Sequence, residues 1–113
     1  MEKVSIKNTE HYIWGEVCEG WHLVNTEELS VIQEKVPAGG KEVLHYHKKA
    51  NQFFFVLSGA AILEVNGEPI KLRKHNGCFI KSGVPHQLRN ESKKDLIFLV
   101  ISQPKSHGDR VVS

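Results

Sequence analysis

Residue pairs that favour tight turns recur at short intervals along the chain, for example Asn66-Gly67, Asn76-Gly77 and Ser82-Gly83. Between the turns lie short runs rich in β-branched and aromatic residues, at 30–36, 52–57, 60–65, 70–73, 87–90 and 96–102. Short strands at this spacing are typical of a β-sandwich or barrel. Asn66-Gly67 is the strongest hairpin signal, because a type I′ turn needs positive φ at both central residues. We expect this turn to join strand 60–65 to a strand that begins near Ile70.

Length and composition limit the remaining choices. The chain has 113 residues, 40% hydrophobic and 25% charged, which predicts one ordinary globular domain. A formal net charge of +2 argues against nucleic-acid binding, which needs a clustered basic face. Because no apolar stretch approaches about 18 residues and no apolar signal region follows the N-terminus, we expect neither a membrane span nor secretion. Cys18 and Cys78 are therefore expected to be reduced, in a cytoplasmic protein.

Histidine is unusually frequent, with seven in the chain. In the segment His45-Tyr46-His47, strand alternation would place both histidines on one face, where two imidazoles can bind one metal ion. Alone this pattern is a weak signal, but its surroundings strengthen it. Gly39 lies six residues before His45, Gln52 five after His47 and Gly59 seven after Gln52. Further along the chain come Gly83, Pro85, a third histidine, His86, and Asn90.

These residues resemble the two motifs of the cupin superfamily. The first motif, G-x5-H-x-H-x(3,4)-E-x6-G, corresponds to residues 39–59, and the second, G-x5-P-x-G-x2-H-x3-N, corresponds to residues 75–90. The resemblance implies an all-β fold, an antiparallel double-stranded β-helix or jelly-roll barrel, with residues 1–113 forming one cupin domain. It also implies one divalent metal ion in the barrel mouth, bound by His45, His47, Gln52 and His86.

The chain departs from the family pattern at three places. Gln52 replaces the usual glutamate ligand, so a site with a divalent ion would carry net charge +2 rather than +1. We expect weaker metal binding and a stronger Lewis acid as a result. His75 replaces the first glycine of the second motif, where Gly77 is a candidate for a shifted turn. Lys81 replaces the motif proline.

Three functions fit this pattern. The first is a metal-dependent enzyme acting on a small oxygenated or anionic substrate, by a dioxygenase-like reaction or an isomerase or lyase reaction on a sugar or keto compound. His45 and His86 are its candidate catalytic residues. Iron, manganese, nickel, copper and zinc all suit the ligands, and the sequence does not choose among them, nor does it name the substrate. The alternatives are a non-catalytic barrel that binds a sugar or an acid, and a metal-free isomerase with a histidine acid/base pair.

The predicted substrate pocket includes Phe54, Cys78 and Leu88. In the run 52–55, alternation places Phe54 on the face of the Gln52 side chain. The other face then carries Phe53 and Phe55, which would form an apolar patch that a second subunit buries, so we expect a homodimer.

Two acidic residues and the C-terminal segment leave alternatives open. Glu34 and Glu64 alternate with apolar neighbours, and either would be a candidate base if its side chain faces inward. Pro104 and Gly108 predict an irregular tail over residues 103–113, which either frays or covers a barrel edge. Arg110 in this tail lies either on the surface or near a partner subunit or an anionic ligand.

Overall fold

The computed structural model describes residues 2–113, and within that range the chain forms eleven β-strands and no helix. This confirms the all-β prediction. Accordingly, those residues contain no helix long and apolar enough to cross a membrane. In chain order the strands are β1 (His11–Trp14), β2 (Cys18–Asn25), β3 (Ser30–Val36), β4 (His45–His47), β5 (Asn51–Ser58), β6 (Ala61–Val65), β7 (Glu68–Leu72), β8 (Gly77–Ile80), β9 (His86–Arg89), β10 (Leu96–Gln103) and β11 (Arg110–Val112).

The strands form two antiparallel sheets that share one apolar core. The first sheet has the order β1-β2-β3-β10-β5-β8, and the second has the order β11-β4-β9-β6-β7. Buried side chains from both sheets contact each other in the core, including Val36, Phe54, Leu63, Leu88 and Phe98. This is the predicted jelly-roll arrangement. Because β4 and β9 belong to the second sheet and β5 to the first, the predicted metal ligands come from both sheets.

The predicted hairpin is present, with one correction to its returning strand. Asn66 and Gly67 have φ values of 53° and 85°, as a type I′ turn requires. Val65 pairs directly with Glu68, so β7 begins two residues before Ile70, because a two-residue loop returns the chain at once. Pro69 is tolerated in this strand since β7 lies at the edge of its sheet.

The turn before β8 differs from the expectation that Gly77 supplies a shifted turn. His75 itself adopts the left-handed conformation of the motif glycine, with φ of 66°. Its backbone N–H donates to the carbonyl of Val56 at 2.7 Å, and its ring stacks on Phe55 with a centroid distance of 6.2 Å. Gly77 is small for another reason: a Cβ atom there would lie 2.5 Å from Cζ of Phe53.

The C-terminal segment is not irregular throughout, which corrects the prediction for residues 103–113. Its end forms β11, which pairs with β4 and so covers a sheet edge, one of the two alternatives considered. The carboxylate of Asp109 accepts the backbone N–H groups of residues 48–50 at 2.9–3.2 Å. This contact joins positions about 60 residues apart, so local turn signals do not reveal it.

Two glycines share the same backbone conformation but differ in how closely other atoms approach them. Gly59 and Gly67 have φ values of 86° and 85°, but a Cβ atom at position 59 would lie 2.5 Å from the carbonyl oxygen of Asp95, whereas nothing lies within 4 Å at position 67. We expect Gly67→Ala to lower the free energy of unfolding by about 1–2 kcal/mol, the cost of the left-handed conformation, and Gly59→Ala to lower it further. Urea denaturation measures both, and equal losses would contradict the described close approach.

Candidate metal centre

The three predicted histidine ligands lie together inside the barrel. Strand β4 carries His45 and His47 on its buried face, and β9 carries His86 directly opposite His45. Their side chains are 4%, 5% and 1% exposed. The ring centroids of His45 and His86 are 4.4 Å apart, and one nitrogen from each of the three rings lies within 4.8 Å of the other two. One ion can therefore reach all three rings.

Backbone carbonyl groups orient two of these rings. Nδ1 of His45 is 2.7 Å from the carbonyl oxygen of Val43, and Nδ1 of His86 is 2.9 Å from that of Val84. A carbonyl oxygen only accepts hydrogen bonds, so Nδ1 carries the proton in each neutral ring and Nε2 keeps a free lone pair. Metal-binding histidines in proteins typically donate their second N–H in this way.

The contact between Gln52 and His86 fits a bound cation. The amide nitrogen of Gln52 donates to Oγ of Ser102 at 3.0 Å, which leaves its Oε1 at 3.1 Å from Nε2 of His86. Two lone pairs then face each other in a buried site. A metal ion bound by both atoms removes this conflict, and 3.1 Å is close to the separation of adjacent ligands with bonds of about 2.1 Å. Without a metal ion, either the amide turns over so that its nitrogen donates to His86, or His86 takes up a second proton and donates to Oε1.

Burial keeps the histidines neutral, which is the state that binds metals. It lowers the pKa of His45 and of His47 to about 4, and it also lowers the pKa of His86. The positive charge of Arg110 lowers the pKa of all three further. At neutral pH the cluster therefore offers lone pairs and no compensating negative charge.

His47 differs from the other two histidines. Its Nδ1 atom is buried and has no hydrogen-bond partner among residues 2–113. A buried polar atom without a partner is costly, and a metal ion or a polar ligand beside the ring would supply the missing contact. The three imidazoles and the Gln52 amide oxygen therefore fit a divalent ion of the first transition series or zinc.

The cluster opens into a cavity of about 680 Å³, whose wall includes His45, His47, Gln52 and Phe54. His86 lies behind this wall, with its ring edge against Phe54. A cavity of this size suits a small organic molecule. An ion at the histidine cluster and an organic ligand in the cavity would therefore lie next to each other.

Two of the three predicted pocket residues are not on the cavity wall. Phe54 is, but Leu88 is 1% exposed and belongs to the apolar core, because the face of β9 that carries His86 continues into that core. Cys78, opposite Phe54 on the edge strand β8, packs against the same core. The interior is thus polar at one end and apolar at the other, and strand alternation alone does not show where the change occurs.

Several cavity residues were not among the predicted pocket residues. Tyr12 and Trp14 on β1 and His22 on β2 also line the cavity. The aromatic residues near the N-terminus were the available sequence signal for this part of the wall. They did not indicate which face of these strands points inward. Glu42, in the loop before β4, also lines the cavity and carried no sequence signal.

The two acidic residues left open by the sequence face different ways. Glu34 lines the cavity, where its Oε2 accepts a hydrogen bond from the Tyr12 hydroxyl at 3.2 Å. Glu64 instead forms an ion pair with Arg89 at 3.0 Å and is not part of the wall. Of the two, Glu34 therefore has the position of a candidate base.

Arg110 stands at the rim of the cavity, at the start of β11. No carboxylate within residues 2–113 lies at ion-pair distance from its guanidinium group. Of the alternatives considered for the tail, this position fits contact with an anionic ligand, since an unpaired guanidinium beside a cavity can bind a carboxylate.

Comparison with known proteins agrees with this fold. The sequence profile of the Cupin domain family matches residues 32–102. Because the match spans more than half of the chain, the protein belongs to the cupin domain family. That assignment confirms the resemblance drawn from the two motifs.

Individual relatives cover most of the chain. A Thermotoga maritima protein named "Oxalate-binding protein" is 29% identical over 92 residues, which are 77% of this chain and 75% of the relative. A solved structure from the same organism, described as a predicted oxalate decarboxylase, matches with a TM-score of 0.84 at 21% identity, covering 92% of this chain and all of that one. KdgF from Halomonas sp. matches with a TM-score of 0.81 at 17% identity, covering 88% and 89% of the two chains. These two structures establish the shared fold.

Replacing Gln52 by glutamate tests whether this side chain is a metal ligand. We expect Gln52→Glu to lower the dissociation constant for a divalent ion at least tenfold, because a carboxylate ligand adds a negative charge to an otherwise neutral ligand set. Competition with a chromogenic chelator at pH 7 measures the constant. The exposed Gln103→Glu variant is the control, with a tenfold smaller effect or none. An unchanged constant in Gln52→Glu would argue against direct coordination.

Proposed function

We propose that the protein is a metal-dependent enzyme that acts on a small oxygenated or anionic substrate. The observation that carries this proposal is the convergence of three neutral, buried imidazoles and one amide oxygen beside a cavity large enough for a substrate. His45, His47, Gln52 and His86 would hold the ion, and His45 and His86 lie closest to each other within the cluster.

The charges around the cavity support an anionic or oxygen-rich substrate. A divalent ion on four neutral ligands keeps its full charge, and when bound it would supply Lewis-acid polarisation of a substrate oxygen. Arg110 would bind a carboxylate at the cavity rim, while Phe54 excludes water from the side facing the core. Isomerase, lyase and dioxygenase-like reactions all use such a site, and the metal's identity would distinguish oxygen-dependent from proton-transfer chemistry.

A second candidate function is a binding barrel without turnover. The relative named "Oxalate-binding protein", 29% identical to this chain, favours it. The same cavity, ion and Arg110 would then hold a small acid. A ligand that raises the melting temperature without being converted would support this function over an enzyme.

The enzyme and the binding barrel would both hold a metal ion. The metal content of the protein, purified without a histidine tag or chelator, tests this requirement. We expect close to one equivalent of a transition metal or zinc by plasma mass spectrometry. His45→Ala and His86→Ala should each lose most of the metal. Two imidazoles and an amide bind a divalent ion far more weakly than three imidazoles and the same amide do. His11→Ala, on the exposed side of β1, is the matched control and should retain the metal. A parent protein that stays empty after incubation with excess divalent metals would overturn the proposal.

We also propose that the protein is a homodimer that buries the outer face of β5 and β8. Phe53 and Phe79 are cross-strand partners there, 37% and 61% exposed, and Phe55 stacks beside Phe53. Adjacent exposed aromatic rings of this kind are typical of an interface.

The two free cysteines, Cys18 and Cys78, support a reducing compartment such as the cytoplasm.

Light scattering behind size-exclusion chromatography tests the dimer. We expect a particle of twice the 12.8 kDa chain mass, and Phe79→Lys should shift it towards the monomer because a charge would be buried in the interface. Ile13→Lys, at a residue 64% exposed on β1 of the same sheet, is the control. A monomeric parent, or equal dissociation of both variants, would contradict an interface on β5 and β8.

A further inference from the structure

A second group of polar side chains lies on the cavity wall and is not part of the metal-ligand set. It consists of Tyr12 on β1, Glu34 on β3 and Glu42 in the loop before β4. The Tyr12 hydroxyl donates to Oε2 of Glu34 at 3.2 Å, and Oε1 of Glu42 accepts the backbone N–H of Leu88 at 3.0 Å. Each carboxyl group is thus held through one oxygen, and the other oxygen has no partner among residues 2–113.

Neither carboxyl group has a charged partner. Among the described residues, no lysine, arginine or histidine lies within ion-pair distance of Glu34 or Glu42. Enclosed carboxylates without counter-ions destabilise a fold. Two of them on the wall of one cavity therefore call for a functional explanation.

The same wall carries further groups that lack partners. Nε1 of Trp14 and Nδ1 of His22 are buried atoms without hydrogen bonds in residues 2–113, and both residues line the cavity. His47, which is 5% exposed, presents a third such atom. Trp14, His22 and His47 thus add polar residues to the lining of the cavity.

We propose that Glu34 and Glu42 are the residues that move protons to and from a substrate bound at the histidine cluster, with Tyr12 as the positioning residue that orients Glu34. This inference rests on the proposed metal-dependent function and assigns its reaction class. An α-hydroxy carbonyl compound is the substrate class proposed for this pair, since its isomerisation uses one proton acceptor and one proton donor in a single cavity.

The protonation states of the pair suit this role. Burial raises the pKa of Glu34 to about 7, against the opposing effect of the Tyr12 hydroxyl. Burial also raises the pKa of Glu42 to about 8, with a further rise from the charge of Glu34 and opposing effects of the Leu88 N–H and Arg110. Near neutral pH the two carboxyl groups therefore both take up and release protons, and the charge of Glu34 favours the protonated form of Glu42. Burial raises the pKa of Tyr12 and of the Cys18 thiol, so neither of these neighbours ionises in this range.

The proposed isomerisation passes through an enediol. The Glu34 carboxylate takes the proton from the hydroxyl-bearing carbon, and the electron pair of that C–H bond forms a C=C bond. The carbonyl π pair moves to its oxygen, which takes the proton of Glu42, so an enediol results. Glu34 then returns its proton to the former carbonyl carbon, and the neighbouring hydroxyl returns one to Glu42. The product is the isomeric hydroxy carbonyl compound, and both residues regain their initial states.

Deuterium exchange tests this assignment directly. The metal-loaded parent protein is incubated in D₂O with dihydroxyacetone as the probe, and NMR follows deuterium at carbon and the appearance of glyceraldehyde. We expect exchange above the buffer rate. Glu34→Gln and Glu42→Gln should each slow it at least about 100-fold, the usual contribution of a general acid or base, with the metal content unchanged. Glu64→Gln, whose carboxylate pairs with Arg89 away from the cavity, should exchange at the parental rate.

The Tyr12→Phe variant separates positioning from a structural role. Loss of the hydroxyl that donates to Glu34 should raise the pKa of that carboxyl group, so the acidic limb of the exchange-rate profile should move to higher pH. A uniformly lower rate with an unmoved profile would contradict the role assigned to Tyr12.

The outcomes distinguish this inference from the proposed function on which it rests. A parent that binds metal but exchanges no faster than buffer would overturn the proton-transfer assignment while the metal site stands. Parental exchange in Glu34→Gln and Glu42→Gln would overturn it as well. A parent that binds no metal would overturn both.

Discussion

The carbonyl oxygens of Val43 and Val84 determine what the cluster can do, because each accepts the Nδ1–H of a buried histidine two residues further along the chain. They hold the Nε2 lone pairs of His45 and His86 towards one point. The amide of Gln52, held by Ser102, adds an oxygen there. Burial prevents these groups from taking up protons or water freely, so a bound cation satisfies them together. The sheets of the barrel are needed to bring the four side chains into contact.

The C-terminal segment completes this arrangement from outside. Strand β4 has only three residues and a single register contact with β9, between His45 and His86. Pairing with β11 covers its other edge, and Asp109 accepts three N–H groups that follow it. Burial alone would raise the pKa of Asp109, but these donors outweigh it and keep the carboxylate ionised. The same segment carries Arg110 to the cavity rim, so the support of β4 and the charge of the cavity are linked.

Much of this was predictable because motif spacing encodes strand alternation and turns. The resemblance to the cupin motifs implied that His45, His47, Gln52 and His86 share one site, and Asn66-Gly67 identified its hairpin. Other features depend on contacts distant in sequence. The edge strand β11 forms through Asp109, and Glu42 faces the cavity from a loop without periodicity. Strands β1, β2 and β8 carry mixed residues whose inward faces depend on sheet order. Leu88 and Cys78 lie in or against the core rather than on the cavity wall, because strand alternation does not show where the polar end of the interior changes to the apolar end.

The proposed metal site requires a single ion that three imidazoles and the Gln52 oxygen all reach. Anomalous diffraction from crystals of the metal-bound protein, collected on either side of the absorption edge of the metal, locates that ion directly. We expect one anomalous peak within bonding distance of Nε2 of His45, Nε2 of His86, a ring nitrogen of His47 and Oε1 of Gln52. A peak elsewhere, or a Gln52 amide whose nitrogen faces His86 with metal bound to the protein, would contradict the account.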